Sequence, residues 1–418
     1  MQPRRARACR ARSWRAPWRI PFAEEWEAMP RPRLMIPGPV EVYEETLEAI
    51  AEPVRAHYGP EWARTYWEVV GLAKQVFRTQ NDLFIWPSSG IGMIDATFGS
   101  MLYTGETLLV IANGSFAGIF QRVAQGYGLK VETVEFPWGQ PADPEVVRAC
   151  LREHPEVRLV AVVGNESSTG VVNPVKELAA VAHEFDLPLF VDGVSAISGV
   201  DMPVDEYGID VCITTSNKGL EAPPGLGLIS ISPRAWEIIE RKKADRYHGY
   251  YFNLSMWRET AYDPHWHDYQ PYVVTMPTNN VMALRASVRR ILQETLPVHF
   301  ARLRWARDAV RAGLRNLGFI LLAPEECASP TVTAVLTPEG LSADELLAYM
   351  REERGLALGA GLREMAGKGF RVGTMGKGAT EEYLTDFLLG VEAFLRAKGV
   401  AVAEGASLVG LKTPAKAQ

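Results

Sequence analysis

Between residues 83 and 231, short apolar runs alternate with amphipathic stretches. Leu83–Trp86, Thr107–Ala112, Lys130–Glu135, Leu159–Val163, Leu189–Val191, Val211–Thr215 and Gly227–Ile231 read as strands, most of them rich in β-branched or aliphatic residues. Met93–Leu102, Ser115–Tyr127, Pro144–His154 and Val175–Phe185 fall between them and read as helices. Upstream, Glu44–Ala51 and Glu61–Phe77 are helical; in the second, Trp62, Tyr66, Val69, Val70, Ala73 and Phe77 recur at helical spacing. Strand and helix in regular alternation predict an α/β fold, a doubly wound and mostly parallel sheet. Downstream the pattern changes. Helices at Asn279–Glu294 and Val298–Leu317 lead into Thr331–Leu336, Ala343–Glu353, Ala357–Leu358, Phe370–Gly373 and Thr380–Lys398, a smaller α+β unit.

These patterns divide the chain into an N-terminal segment (29–45), a large domain (46–278), a small C-terminal domain (279–398) and an Ala/Gly/Lys-rich tail (399–418) expected to fray. Arg241–Tyr272, crowded with aromatics and holding His248, His265 and His267, reads as a long ordered loop. The first 28 residues stand apart: seven arginines and no acids lie in Met1–Arg19. That composition fits a targeting arm or an over-extended start upstream of Met29.

Composition narrows the class. With 418 residues, 47% apolar and 22% charged, the chain is an ordinary globular protein. A net charge of -6 gives no reason to expect nucleic acid or an anionic membrane as partner. No apolar run is long enough to span a membrane. The four cysteines are scattered, without metal spacing, which fits a reducing, cytoplasmic compartment. His265 and His267 are two apart and suit a metal poorly, so no metal is expected.

The chemistry collects where strands end, the place at which open α/β sheets bind ligands. Leu83–Trp86 opens into Pro87-Ser88-Ser89-Gly90-Ile91-Gly92 and then a helix, an order that makes an anion cradle. G-I-G-M-I-D lacks the third glycine of a dinucleotide fingerprint. Asn165-Glu166-Ser167-Ser168-Thr169-Gly170 follows another strand, and Asp192 ends a third. Lys218 follows the strand Val211–Thr215, 26 residues after Asp192. Each feature alone has a bland explanation: a tight turn, capping hydroxyls, an Asx turn, a solvated loop lysine. Together, a phosphate loop, a carboxylate for a pyridinium nitrogen and a lysine for an aldehyde specify pyridoxal 5'-phosphate (PLP).

The motifs Pro37-Gly38-Pro39, Ser88-Ser89-Gly90, Asn113-Gly114-Ser115-Phe116, Glu166–Gly170, Asp192-Gly193-Val194, Ser216-Asn217-Lys218 with Ala222-Pro223-Pro224-Gly225, Ser329–Thr333 and Phe370-Arg371-Val372-Gly373 stand in one order. In that order the chain resembles the class V, fold-type I PLP-dependent aminotransferases, near the alanine–glyoxylate and serine–glyoxylate (serine–pyruvate) group. The resemblance implies that Lys218 bonds the cofactor and shuttles a proton. It places Asp192 on the pyridinium nitrogen, Val194 under the ring and Phe116 stacked on it. Ser89, Gly90, Ile91 and Asn217 fall at the phosphate, and Ser168 and Thr169 at the ring's hydroxyl edge. Tyr272 and Thr275 match residues that reach the phosphate from a neighbouring subunit, implying a homodimer with shared sites. Gly38 and Arg371 fall at the substrate, Arg371 on its carboxylate. Ile91, Gly164 and Asn217 depart from residues common in relatives (histidine, histidine and glutamine).

The activity implied is ping-pong transamination between a small amino acid, alanine or serine, and glyoxylate or pyruvate. The alternatives on the same scaffold are ureidoglycine–glyoxylate, aminoethylphosphonate or pyridoxamine–pyruvate aminotransferase, or a cysteine desulfurase using Cys327.

Overall fold

In the computed structural model, residues 31–243 and 249–411 are described. The basic stretch 1–28 and His248 lie outside them. From Arg33 onward the described residues form one compact unit. It opens with β1 (Arg33–Met35), α1 (Glu44–Ile50) and α2 (Pro60–Phe77). Then β2 (Asp82–Trp86), α3 (Gly90–Met101), β3 (Thr107–Ala112), α4 (Ala117–Gly126), β4 (Lys130–Glu135), α5 (Pro144–Glu153) and β5 (Val157–Val163) alternate. A small hairpin, β6 (Asn165–Glu166) and β7 (Val171–Val172), precedes α6 (Val175–Glu184), β8 (Leu189–Asp192), β9 (Val211–Thr215) and β10 (Gly227–Ile231). Local chemistry explains the boundaries. Pro60 and Pro144 each occupy a first helical position, where a missing N–H costs nothing. The Asp143 side chain accepts the Glu145 N–H at the start of α5.

The large sheet has seven strands in the order β2-β10-β9-β8-β5-β3-β4. The pairs from β9 to β4 are parallel, and β10 runs antiparallel to both β9 and β2. Hence β2 points the same way as β9, and the loops after β2, β3, β5, β8 and β9 all emerge at one edge. β8 and β9 are buried along their whole length, as their unbroken apolar character requires of a sheet covered on both faces.

The second half comprises α7 (Pro233–Lys243), α8 (Leu254–Tyr262), α9 (Thr278–Glu294), α10 (Leu296–Asn316), β11 (Ile320–Leu321), β12 (Val332–Leu336), α11 (Ala343–Glu352), β13 (Leu356–Ala360), β14 (Gly369–Gly373) and α12 (Glu381–Ala397). Its five-stranded sheet has the order β1-β13-β14-β12-β11, so the N-terminal strand, parallel to β13, completes a sheet made otherwise of C-terminal residues.

Three expectations change. The stretch 241–272 is not one loop: Leu254–Tyr262 is a helix capped by the Asn253 side chain, and its Trp257 is fully buried against Trp86 at 3.6 Å between ring centroids. Of its aromatics Trp257 and Tyr272 are core, whereas Tyr250, Tyr251, Tyr262, Trp266 and Tyr269 are exposed. Of the tail, residues 412–418 lie outside the described ones, while the part before them holds regular structure. Ala406–Gly410 forms a 3₁₀ turn pinned by Glu392, whose buried carboxylate accepts the Ser407 N–H (2.7 Å) and hydroxyl and the Gly405 N–H (3.1 Å). Finally, Val281, Leu284 and Val288 of α9 belong to the core of the large sheet, whereas Leu303 and Val310 of α10 belong to that of the small one. The cores therefore change over near residue 295 rather than 279.

Candidate active site

Lys218 lies in a closed turn just past β9. The turn is tied by Ser216 N–H to the Leu226 carbonyl, Ala222 N–H to that of Ser216 and Glu221 N–H to that of Lys218, each at 2.9 Å. Its ammonium donates to the Pro37 carbonyl at 2.5 Å. Gly38, with φ +120°, lies against its stem: a methyl there would fall 2.4 Å from Cδ and 2.6 Å from Nζ. Only glycine can hold this backbone so close to the lysine. The Pro37-Gly38-Pro39 motif is thus a wall of the lysine's pocket.

Asp192 ends β8 opposite Ile213 of β9. Among the described residues its carboxylate takes one hydrogen bond, from the Val194 N–H to Oδ1 at 2.9 Å. Burial raises its pKa to about 6; the Val194 bond opposes this, Glu166 adds to it and Lys218 lowers it. Lys218 responds in the opposite sense. Burial, then the positive charge of Arg371, pull its ammonium down to about 8, against the attraction of Asp192. An amine with that proton affinity exchanges protons near neutrality.

Arg371 stands in mid-strand on β14, paired with Ala334 on one side and Gly359 on the other. Its guanidinium donates to the carbonyls of Ala360 (2.9 Å) and Ser167 (3.3 Å). Burial weakens its hold on the proton and Glu166 strengthens it. Donors on a planar fork remain for a carboxylate.

Glu166 was the group least visible in sequence. It is fully buried, and its oxygens accept the Phe116 N–H (3.0 Å), the Ser168 N–H (2.9 Å) and the Ser168 hydroxyl (2.6 Å). The Ser168 hydroxyl accepts the Ser115 N–H in turn, at 2.9 Å. This carboxylate binds the start of α4 to the loop after β5, and burial raises its pKa against those hydrogen bonds. It fixes Ser168, Phe116 and the fully buried Thr169, whose hydroxyl donates to the Glu166 carbonyl. The E-S-S-T-G motif contained Glu166, but nothing in the sequence showed its two partners at residues 115 and 116.

Ser89 is the N-cap of α3, yet its side chain does not cap the helix, so the first N–H groups are open at the positive end of the helix dipole. A methyl on Gly90 would lie 2.8 Å from Val194 Cγ2 and 3.4 Å from Thr215 Cγ2, so this loop packs on both. The Thr215 hydroxyl is buried without a hydrogen-bond partner, a polar atom that sequence reasoning had passed over. Asn217 is half-buried beside Lys218, its carbonyl accepting the Val40 N–H. Ile91 is exposed.

Tyr272 is 1% exposed, and its hydroxyl lies within its own chain between the Trp62 indole N–H, which donates to it, and the His57 carbonyl, to which it donates. Thr275, three residues on, is exposed. Cys327 is no nucleophile poised over the site. Its thiol is buried with Val171 and Ala323, and burial raises its pKa.

An uncapped helix start, a buried carboxylate at one strand end and a lysine past the next, with a guanidinium whose charge reaches that lysine, make a site that suits an aldehyde cofactor. Residues 46–367 match the model of the family Aminotransferase class-V, and the chain belongs to that family. It is 35% identical to the L-aspartate–glyoxylate aminotransferase of Paracoccus denitrificans, over 82% of this chain and 86% of that one. Among solved structures, the ureidoglycine–glyoxylate aminotransferase of Bacillus subtilis superposes with a TM-score of 0.86 at 28% identity, covering 92% of this chain and 98% of that one. The alanine–glyoxylate aminotransferase of Nostoc sp. gives 0.83 at 27%, covering 91% and 97%. Class V aminotransferases are PLP-dependent, and the residues here fit that cofactor: an open helix start and the orphan Thr215 hydroxyl suit a phosphate, and Asp192, buried with one hydrogen bond, suits a protonated ring nitrogen.

Proposed function

We propose that this aminotransferase moves an amino group from a small amino acid, alanine or serine, to a 2-oxo acid, glyoxylate or pyruvate, in a ping-pong cycle. Bound PLP supplies the electron sink and carries the amino group between half-reactions. Lys218 would hold the cofactor's aldehyde and, when free, would hold and return the substrate Cα proton at Nζ. Asp192 would stay ionised against the ring nitrogen, and Val194 and Phe116 would pack on the ring. Ser89, Gly90, Asn217 and Thr215 would hold the phosphate, while Ser168 and Thr169 would serve the ring hydroxyl. Arg371 grips the substrate carboxylate, with Gly38 closing the wall beside it. The observation that carries this reading is the lysine's setting: a buried ammonium against the Pro37 carbonyl and Gly38, lowered to about 8 by burial first and by the charge of Arg371 second, which supports one small molecule reaching both. A carboxylate on Arg371 would neutralise that charge and raise the basicity of Nζ as substrate arrives.

Glyoxylate as acceptor is supported by the Paracoccus, Bacillus and Nostoc proteins, whose names share it. A homodimer is supported by exposed Thr275 and by a surface patch of Tyr58, Tyr262, Trp266 and Tyr269, in which Tyr58 stacks on Tyr269 at 5.7 Å. A cytoplasmic location accords with free Cys150, Cys212 and Cys327, and no helix among the described residues is long and apolar enough to cross a membrane.

The test is a half-reaction panel. Holoenzyme is mixed with single amino acids, without acceptor, and oxo acid release is measured together with loss of the visible band. Alanine or serine should react fastest. Aspartate reacting far faster than either, or reaction only with ureidoglycine, would overturn the donor assignment.

A further inference from the structure

Glu221 lies three residues beyond Lys218, fully buried, with φ +52°. A left-handed glutamate without solvent is doubly costly and persists only where its surroundings hold it. Those surroundings belong to four segments. Its N–H closes the Lys218 turn at 2.9 Å. Its carbonyl and that of Leu220 accept the Ser287 hydroxyl of α9, at 3.0 and 2.7 Å. Its Oε2 forms an ion pair with Arg290, also on α9, and Arg302 of α10 stands 3.7 Å from Oε1. Oε1 itself accepts the Gly376 N–H at 3.0 Å. Gly376 is five residues after Arg371, and its carbonyl accepts the Tyr43 hydroxyl (3.3 Å), from the same N-terminal segment whose Pro37 carbonyl holds the Lys218 ammonium. The Tyr43 ring in turn lies 3.8 Å from the Arg290 guanidinium.

Arg302 makes its closest contact with Glu294, at 2.6 Å, and Glu294 also faces His299 at 2.9 Å. Arg290 also lies 3.6 Å from Glu45 of α1, so three carboxylates, one of them half-exposed, face the two guanidiniums. The ion pair with Arg290 thus accounts for the presence of a charge, but not for the Gly376 bond, which a neutral acceptor could make. That bond spans the seam between the two sheets.

Resting on the assignment of Lys218 and Arg371 proposed above, we infer that Glu221 is a positioning residue that sets the distance between them through its hydrogen bond to Gly376. One residue thereby fixes both ends of an amino acid substrate: the amine at the Lys218 turn and the carboxylate at the strand leading to Gly376. Orientation of this kind is costly to lose, an error of about 1 Å being able to cost ~10²-fold in rate.

Two double variants separate this role from plain structural support. Glu221→Gln with Arg290→Met removes the ion pair but keeps an acceptor for Gly376. Glu221→Met with Arg290→Met removes both. Each neutralises the pair, so neither leaves a buried unpaired charge. Three quantities are read in the PLP-loaded dialysed proteins: hydrogen exchange of the peptide containing Gly376, visible circular dichroism per bound PLP, and kcat and KM for alanine with glyoxylate. The expected result is near wild-type dichroism and kcat for the Gln variant. The Met variant should exchange faster at Gly376, lose dichroism and fall about 10-fold or more in kcat. Equal dichroism and kcat in the two variants, whether both high or both low, overturns the inference. Should either fail to fold, Tyr43→Phe loosens the same segment from the carbonyl side of Gly376 without touching a charge. It should lower dichroism and kcat in the same direction, and an unchanged pair of values counts against the role. A wild-type protein that captures no PLP would instead overturn the assignment of Lys218, so the two failures are distinguishable.

Discussion

On the large sheet the groups that face the site stand beyond strand ends: Asp192 closes β8, Lys218 follows β9 in a turn, and the Ser89-Gly90 loop follows β2. On the small sheet Arg371 stands inside β14, held by backbone ladders on both sides. A residue beyond a strand end can be aimed freely, but its loop needs support from elsewhere, here Pro37, Gly38, Glu221 and Glu166. In mid-strand the ladders fix the backbone, and what remains to be set is the strand's distance from the Lys218 turn, through the Glu221–Gly376 bond. Substitutions around Lys218 and Asp192 should therefore disturb geometry as well as charge, whereas one at Arg371 should remove a charge and little else.

The largest effect separating the two regions is expected from Arg371→Ala. Loss of a charge-assisted grip of about 1.5–3 kcal/mol should raise KM for amino and oxo acids roughly 10- to 150-fold, with PLP affinity little changed. The same variant should also raise the Lys218 pKa above about 8, because Arg371 is one of the two causes depressing it. Capture of PLP requires the neutral amine, so its pH midpoint should move upward and capture at pH 7 should slow. Steady-state kinetics and a stopped-flow pH series check both points; an unchanged KM would break the assignment.

Asp192→Asn comes next, and its effect on stability has the opposite sign from its effect on function. The folded carboxyl has a pKa of about 6, raised from 3.8 chiefly by burial. A raised pKa contributes stability that is present below the unfolded value and lost as pH rises through about 6. Without PLP, the asparagine variant should therefore be more stable than wild type above pH 6, by up to about 3 kcal/mol, and should lack the decline between pH 4 and 6. Urea unfolding of the cofactor-free proteins across that range measures this, alongside the expected loss of turnover. A variant no more stable at pH 8 would show that the carboxylate is not strained by its site.

The smallest effect is expected at Thr215. Its orphan hydroxyl has nothing to lose in the empty protein, so Thr215→Val should leave unfolding of that form nearly unchanged. If the hydroxyl serves the phosphate, PLP should bind about 5-fold more weakly, equivalent to one hydrogen bond of about 1 kcal/mol. Equilibrium dialysis against PLP separates the outcomes.

Much of this arrangement was legible in the chain. The strands β3, β9 and β10 have the ends that their apolar runs imply, because a strand buried on both faces has no polar position to blur its limits. Asp192 and Lys218 stood out for the same reason, as charged residues at or just past the ends of such runs. What stayed hidden were partners distant in sequence. Glu166 meets the N–H of residue 116, and Glu221 meets the N–H of residue 376. A carboxylate bound to backbone N–H groups leaves no side-chain signature in its partner. The stretch before Tyr272 misled because one short helix, seated by the buried Trp257, lies among aromatics that are mostly exposed. The Tyr272 motif likewise carried no sign of the Trp62 and His57 contacts of its hydroxyl.

The central claim is that Lys218 is the cofactor lysine, tuned by burial and by Arg371. It is tested most directly by adding PLP to the cofactor-free protein at a series of pH values and following the visible absorbance of the lysine-bound form. Wild type should turn yellow, with a capture rate that rises through a midpoint near pH 8. Lys218→Ala should bind PLP without that band at any pH. A yellow Lys218→Ala protein whose band survives dialysis, or a wild type that captures no PLP, would contradict the account.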